Sequence, residues 1–211
     1  MTIAEESTAW PNVTKPKEVD NGLGFHYKWD MGWMHDTLNY LKSDFPYREK
    51  NHDMFSFSMM YANAENYVLA LSHDEVVHGK CSIVNKMPGT YDEKIQQIKV
   101  LYLYQMSRPG AILNFMGNEI PEFIEWRYYE GLEWFLLDVD KHKKFHDYIK
   151  DLNHLYLKEK SFYELDMKTW EGFDWIDANN RLQNIFIYER IGKDKNDRNI
   201  VILNFSKNEF E

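Results

Sequence analysis

Strand-like and helix-like hydrophobic patterns alternate through the first three quarters of the chain. Continuous apolar runs at Tyr67–Leu71 and Ala111–Met116 predict strands that are buried on both faces. Apolar residues at helical spacing predict helices over Gly32–Leu41, Asp92–Met106 and Asp140–Lys160. Strands that alternate with helices are typical of a parallel sheet covered by helices, so this region predicts an α/β fold.

One segment fits this alternation poorly. Phe55, Phe57, Met59 and Tyr61 alternate with smaller residues, as in a half-buried strand. The link from Tyr61 to Tyr67 is shorter than the roughly dozen residues that a crossover between parallel strands needs. Either this segment is helical or one crossover is degenerate.

The pattern changes near Ser161. Short strands are predicted at Phe173–Asp177, Asn184–Tyr188 and Ile200–Phe205, and no helical pattern lies between them. We therefore expect an α/β domain over residues 1–160 and the start of an all-β domain over residues 161–211.

The overall charge and the single cysteine exclude several classes of protein. A net charge of −9 argues against a nucleic-acid partner or an anionic membrane, because both need a positive surface. No apolar run approaches the ~20 residues that span a bilayer, and the first residues do not form a signal peptide. Cys81 alone forms neither an internal disulfide nor a cysteine metal cluster. The expected location is the cytoplasm.

Aromatic residues make up 16 % of the chain, which leaves two interpretations open. They form an aromatic core, or some of them stack on sugar rings in a groove. The cluster that follows the strand at Ala111–Met116 has the same two interpretations, as a sugar-stacking wall or as loop packing. Its members are Trp126, Tyr128, Tyr129 and Trp134.

Two carboxylate clusters follow predicted strands. Glu5 and Glu6 follow Thr2–Ala4, which is predicted to be the end of a strand, and His73, Asp74 and Glu75 follow the strand at Tyr67–Leu71. Active-site residues gather at the carboxyl ends of parallel strands, and paired carboxylates are the groups that cleave glycosidic bonds. The alternative is that both clusters are solvated loop charges.

Metal and cofactor chemistry is not expected. His73 and His78 with Asp74 and Glu75 could suggest a metal site, but their spacing does not place them on one helical face, and no third set of ligands is evident. The glycines form no phosphate-binding loop.

Several motifs together resemble the 1,4-α-glucan (glycogen) branching enzymes of the α-amylase clan. The two most specific blocks are Met31–Leu38 and Leu71–Lys80. The other segments that carry the resemblance are Ala4–Thr8, Gly22–Phe25, Lys28–Trp29, Met87–Gly89, Phe115–Glu119 and Glu125–Trp126.

The resemblance implies the C-terminal half of a (β/α)8 barrel of the TIM type, followed by the start of an all-β C-terminal domain. The implied activity transfers a segment of α-1,4-glucan to a 6-hydroxyl and forms an α-1,6 branch. Glu5 is the implied general acid/base, and Asp74 is the implied carboxylate that stabilises the transition state. The implied substrate-binding residues are His73, Glu75 and Trp33. By the same resemblance, Glu6 and Glu75 are neighbours that tune or position the catalytic groups.

The resemblance also implies that this chain is not a whole catalytic unit. The family's nucleophilic aspartate ends the fourth barrel strand, which precedes the position of Ile3. We therefore expect an α-1,4-glucan substrate and a separate chain that carries the missing half-barrel as a possible partner, and no branching by this chain alone. The alternatives are a hydrolase of the same clan and a non-catalytic half-barrel that binds glucan.

Overall fold

The computed structural model describes residues 1–166 and 170–210, which form two sheets. Residues 167–169 and residue 211 belong to the expected second domain and lie outside the described residues. The first sheet is parallel with strand order β1-β2-β3-β4, and the second is antiparallel with order β5-β6-β7. The strands are β1 (Ile3–Ala4), β2 (Tyr27–Trp29), β3 (Tyr67–Leu71), β4 (Ala111–Asn114), β5 (Phe173–Asn180), β6 (Ile185–Ile191) and β7 (Arg198–Asn204).

Helices connect the later parallel strands. Turns join β1 to β2, whereas helices lie between β2 and β3, between β3 and β4, and after β4. This order confirms the predicted α/β class and fits part of a (β/α)8 barrel, followed by a β region. The helices are α1 (Met31–Lys42), α2 (His52–Phe57), α3 (Ile83–Lys86), α4 (Tyr91–Ser107) and α5 (Asp140–Lys158).

Side-chain caps define where two of the predicted helices begin. The Asp30 carboxylate accepts the backbone N–H of Trp33 at 2.8 Å and caps α1. Thr90 and Glu93 form a reciprocal capping box at the start of α4. These caps satisfy N–H groups that lack partners within the helix, so both helices begin within a residue of the predicted positions.

The alternating segment is helical, and its interpretation as a strand is wrong. It forms α2 and a 3₁₀ turn at Ser58–Met60. Phe55 is fully buried, whereas Phe57 is 58 % exposed, so these two aromatic residues do not line one buried face. The short link to β3 is therefore the end of a helical crossover that begins at α1. The sequence pattern did not predict strand β2, because a strand of only three residues is too short to show an alternation of apolar and polar residues.

The antiparallel sheet packs against the helices of the first region and shares one core with them. Phe186 of β6 stacks on His52 of α2 with ring centroids 4.0 Å apart. Arg190 of β6 is buried, forms an ion pair with Asp166 and donates to the carbonyl oxygen of Ser107 at the end of α4. Buried contacts therefore hold the antiparallel sheet against α2 and α4, while the division after residue 160 stays a prediction.

Candidate active site

The two predicted carboxylate clusters both lie at carboxyl ends of parallel strands. Glu5 directly follows β1, and His73, Asp74 and Glu75 form a 3₁₀ turn one residue after β3. β2 lies between these two strands in the sheet. The fold therefore presents both clusters at one end of the sheet, where parallel α/β folds place their chemistry.

Strand register separates the roles of Glu5 and Glu6. Ala4 pairs with Lys28, and Lys28 pairs with Tyr67. These paired residues share the face of Leu69 and Leu71, which are buried in the core beneath the helices. Because side chains alternate along a strand, Glu5 follows on the opposite face, which lines the interior of a barrel.

Glu6 forms an ion pair with Lys28 on the helix-covered face of the sheet. Its carboxylate lies 2.5 Å from the buried ammonium group of Lys28, which also donates to the Thr8 carbonyl oxygen at 2.7 Å. The hydrogen bond from Lys28 lowers the pKa of Glu6 to about 2. Glu6 is therefore held ionised, which suits a structural anchor better than a proton donor.

His73 and Asp74 form an accessible polar pair. The His73 Nε2 and Asp74 Oδ1 atoms are 3.2 Å apart, and about half of each side chain is exposed. Two aromatic rings flank His73: its centroid is 5.9 Å from that of Phe115 and 6.4 Å from that of Trp126. The pair is open to a ligand and has apolar surfaces beside it.

Glu75 is buried and stabilises the turn that carries Asp74. Its carboxylate accepts from the backbone N–H and the hydroxyl of Ser72, and that hydroxyl accepts the Asp74 N–H at 3.2 Å. This capping box fixes the backbone around Asp74. Glu75 thus fits the expected positioning role, and its direct contact with substrate stays a prediction.

Trp33 does not reach the site, which corrects its assignment as a substrate-binding residue. Its side chain is fully buried in the core, and its ring centroid is 6.2 Å from that of Tyr104. A sugar cannot contact this side chain, because helix α1 turns it towards α4.

The aromatic cluster after β4 divides into two parts. Trp126 packs against Phe115 edge to face at 5.1 Å, and therefore lies beside His73. Tyr128 and Tyr129 are 84 % and 66 % exposed, and Trp134 is also exposed. The exposed rings offer faces of the kind that stack on sugars, whereas Trp126 supports the site.

A cavity of about 560 Å³ lies next to β1 and β2, and neither Glu5 nor Asp74 lines it. Its walls include Glu6, Lys28, Phe57, Tyr61 and Tyr67. Sequence reasoning missed it, because it is formed by segments that are distant along the chain. These residues lie on the helix-covered face, so the cavity is not the carboxylate site.

Residues 1–166 and 170–210 contain neither a metal-binding cluster nor a membrane-spanning helix. No group of three or more histidine, cysteine, aspartate or glutamate residues there could hold a metal ion. No helix in those residues has the length and apolar character needed to cross a membrane.

Comparison with known proteins identifies close relatives of the sequence. No protein-family model matches the chain. The 1,4-alpha-glucan branching enzyme GlgB of Desulfitobacterium hafniense is 50 % identical over 211 residues, which is all of this chain and 33 % of that protein. The GlgB of Halothermothrix orenii is 50 % identical over 98 % of this chain and 32 % of its own length. The chain therefore spans about a third of the length of the curated relatives it matches.

A solved structure supports the fold independently. An α-amylase from H. orenii superposes with a TM-score of 0.53 over 86 % of this chain and 39 % of its own, at 16 % identity. Such low identity shows a shared α-amylase-like fold and nothing about activity. Together with the relatives, it confirms the resemblance on which Glu5 and Asp74 were selected. Over its whole length, this chain is therefore homologous to a segment that makes up about one third of curated 1,4-alpha-glucan branching enzymes.

Proposed function

We propose that this chain supplies the acid/base and stabilising carboxylates of a 1,4-α-glucan branching reaction. The observation that carries the proposal is the 50 % identity to a branching enzyme over the whole chain. The roles of Glu5 and Asp74 follow from the resemblance of their sequence motifs to that family. The exposure of Glu5, His73 and Asp74 at one end of the parallel sheet supports it.

Glu5 acts on both the leaving and the attacking oxygen. As an acid, it gives a proton to the glucan oxygen that leaves when the α-1,4 bond breaks and the sugar bonds to a nucleophilic carboxylate. As a base, it then takes the proton of an acceptor 6-hydroxyl, which attacks the anomeric carbon and releases that nucleophile. Asp74 stabilises the positive charge that develops on the sugar ring in both steps.

The nucleophile and the rest of the barrel must come from further polypeptide. By the resemblance, the nucleophilic aspartate ends a strand that pairs next to β1. Within the described residues β1 and β4 are the unpaired edges of the parallel sheet, and Ile3 is 42 % exposed. An open strand edge is a template for pairing. We therefore infer that a polypeptide with the remaining strands docks along β1 and β4 and covers the cavity beside Lys28.

Complementation tests the proposal. The chain is mixed or co-expressed with a complementing polypeptide, namely the part of the D. hafniense relative that precedes the region matched here. Amylose is the substrate, and α-1,6 linkages are counted by proton NMR.

Branching is expected only when both polypeptides are present, with no net gain of reducing ends. New reducing ends without α-1,6 linkages would instead favour a hydrolase. A stable complex that binds amylose but leaves it unchanged would favour the non-catalytic alternative. Branching by this chain alone would refute the need for a second polypeptide.

A further inference from the structure

The loop that follows Asp74 has an unusual backbone. Gly79 and Cys81 both have positive φ angles, of 80° and 64°. Glycine adopts this region freely, but a residue with a side chain such as cysteine does so at an energetic cost. A strained conformation persists only where its surroundings hold it, and such residues cluster at functional sites.

The Glu125 carboxylate holds both of these positions, the unstrained Gly79 and the strained Cys81. Its Oε2 atom accepts the backbone N–H of Gly79 at 3.0 Å, and its Oε1 atom accepts that of Cys81 at 2.7 Å. These two bonds lower the pKa of Glu125, the bond from Cys81 most strongly. The side chain is 25 % exposed and therefore partly shielded from water.

Other contacts attach the same loop to the segment after β4 and to α3. The Trp126 N–H, adjacent to Glu125, donates to the Val76 carbonyl oxygen at 2.8 Å. The Lys86 ammonium group of α3 donates to the Cys81 carbonyl oxygen at 2.8 Å. Glu125 and Lys86 thus bind opposite sides of Cys81, one through its N–H and the other through its C=O.

Backbone hydrogen bonds link this clamp to the candidate catalytic turn. The Lys80 N–H donates to the Val77 carbonyl oxygen, and the Val77 N–H donates to that of His73, both at 3.0 Å. Two hydrogen-bonded turns therefore connect Lys80, which lies between Gly79 and Cys81, to His73, the neighbour of Asp74.

We propose that Glu125 is a positioning residue that holds the loop over residues 76–81 and thereby fixes the position of Asp74. The proposal rests on the proposed function of Asp74. It implies that the segment after β4 acts on the reaction through the loop after β3, without touching the sugar. Misplacement of a catalytic group by about 1 Å can cost roughly 100-fold in rate.

Glu125→Gln tests the clamp, because the amide keeps the size of the side chain but offers one acceptor oxygen for two donors. Glu130→Gln is the matched control, since Glu130 lies on the same loop and pairs with Arg127 instead. Glu125→Asp keeps the charge but shortens the reach to both N–H groups. Circular dichroism and thermal unfolding establish that each variant is folded.

Two measurements decide the proposal. In the chain itself, hydrogen exchange of the Gly79 and Cys81 amides should be at least 10-fold faster in Glu125→Gln and faster in Glu125→Asp, and unchanged in Glu130→Gln. In the complemented enzyme, Glu125→Gln should lower kcat by about 10- to 100-fold while KM changes less than about threefold.

Unchanged exchange overturns the clamp, and faster exchange with unchanged kcat overturns its role in positioning Asp74. A higher KM with unchanged kcat also overturns it, because it indicates a role in binding sugar. An inactive complex with the wild-type chain counts against the proposed function alone, since exchange still decides whether Glu125 holds the loop.

Discussion

Replacing Phe186 by alanine tests whether the antiparallel sheet and the helices of the parallel-sheet region share one core. Phe186 is fully buried, and its ring lies 4.0 Å from that of His52 and 4.4 Å from that of Phe55. Both partners belong to α2, so the substitution leaves a cavity between the sheet and the helices. Removing a buried phenylalanine costs about 3–5 kcal/mol, a large share of the roughly 5–15 kcal/mol by which domains are stable.

The assay is urea unfolding of the chain, followed by tryptophan fluorescence and circular dichroism. Phe186→Ala should lower the free energy of unfolding by about 3–5 kcal/mol in one transition seen by both probes. Ile202→Ala on neighbouring β7 is the control, because Ile202 is 61 % exposed, and it should change stability by less than about 1 kcal/mol. A loss below about 1 kcal/mol for Phe186→Ala would refute the shared core, as would separate transitions for the two sheets.

Three further predictions concern the site and its surroundings. Glu6→Gln should lower the free energy of unfolding by about 1–3 kcal/mol at pH 7, and by less as the pH falls from 4.5 towards 2, because the lowered pKa of Glu6 adds stability only while its carboxylate is ionised. Urea unfolding at pH 3 and pH 7 measures this loss, and an equal loss at both pH values contradicts the prediction. The double variant Tyr128→Ala with Tyr129→Ala should weaken maltoheptaose binding about 10-fold, whereas Tyr47→Ala should not, because Tyr47 is exposed at another place on the surface. If calorimetry gives the double variant the same affinity as the unaltered chain, these tyrosines do not stack on the sugar. Trp33→Ala should lower the free energy of urea unfolding by about 3–5 kcal/mol, because Trp33 is fully buried, and should leave the maltoheptaose affinity of the folded chain unchanged. Weaker maltoheptaose binding would support the original assignment of Trp33 as a sugar-binding residue.

Long elements with a clear period were predictable from the sequence. β3 and α4 were predicted to within a few residues, since a buried strand and an amphipathic helix each leave a repeating apolar signal. The Phe55–Tyr61 segment was ambiguous, because Phe55 packs against Phe186 of the antiparallel sheet whereas Phe57 is exposed. That sheet is formed by residues more than a hundred positions later in the chain, so the local sequence pattern cannot show which residues it buries.

The candidate site was only partly predictable for the same reason. Motifs selected Glu5 and Asp74, but two adjacent glutamates look alike in a sequence. Strand register and the buried ammonium group of Lys28 separate Glu5 from Glu6. The clamp at Glu125 was missed as well, since its partners are backbone N–H groups on another loop.

The most direct test of the account compares Glu5→Gln with Glu6→Gln in the complemented enzyme. The measurement is the initial rate of α-1,6 linkage formation from amylose at pH 7, with the folded state of each variant checked by circular dichroism. Glu5→Gln should lower the rate at least about 1,000-fold, because neither the leaving nor the attacking oxygen then has its proton-transfer group. Glu6→Gln should retain the rate to within about tenfold. Equal losses, or a larger loss for Glu6→Gln, would contradict the assignment of Glu5 as the acid/base.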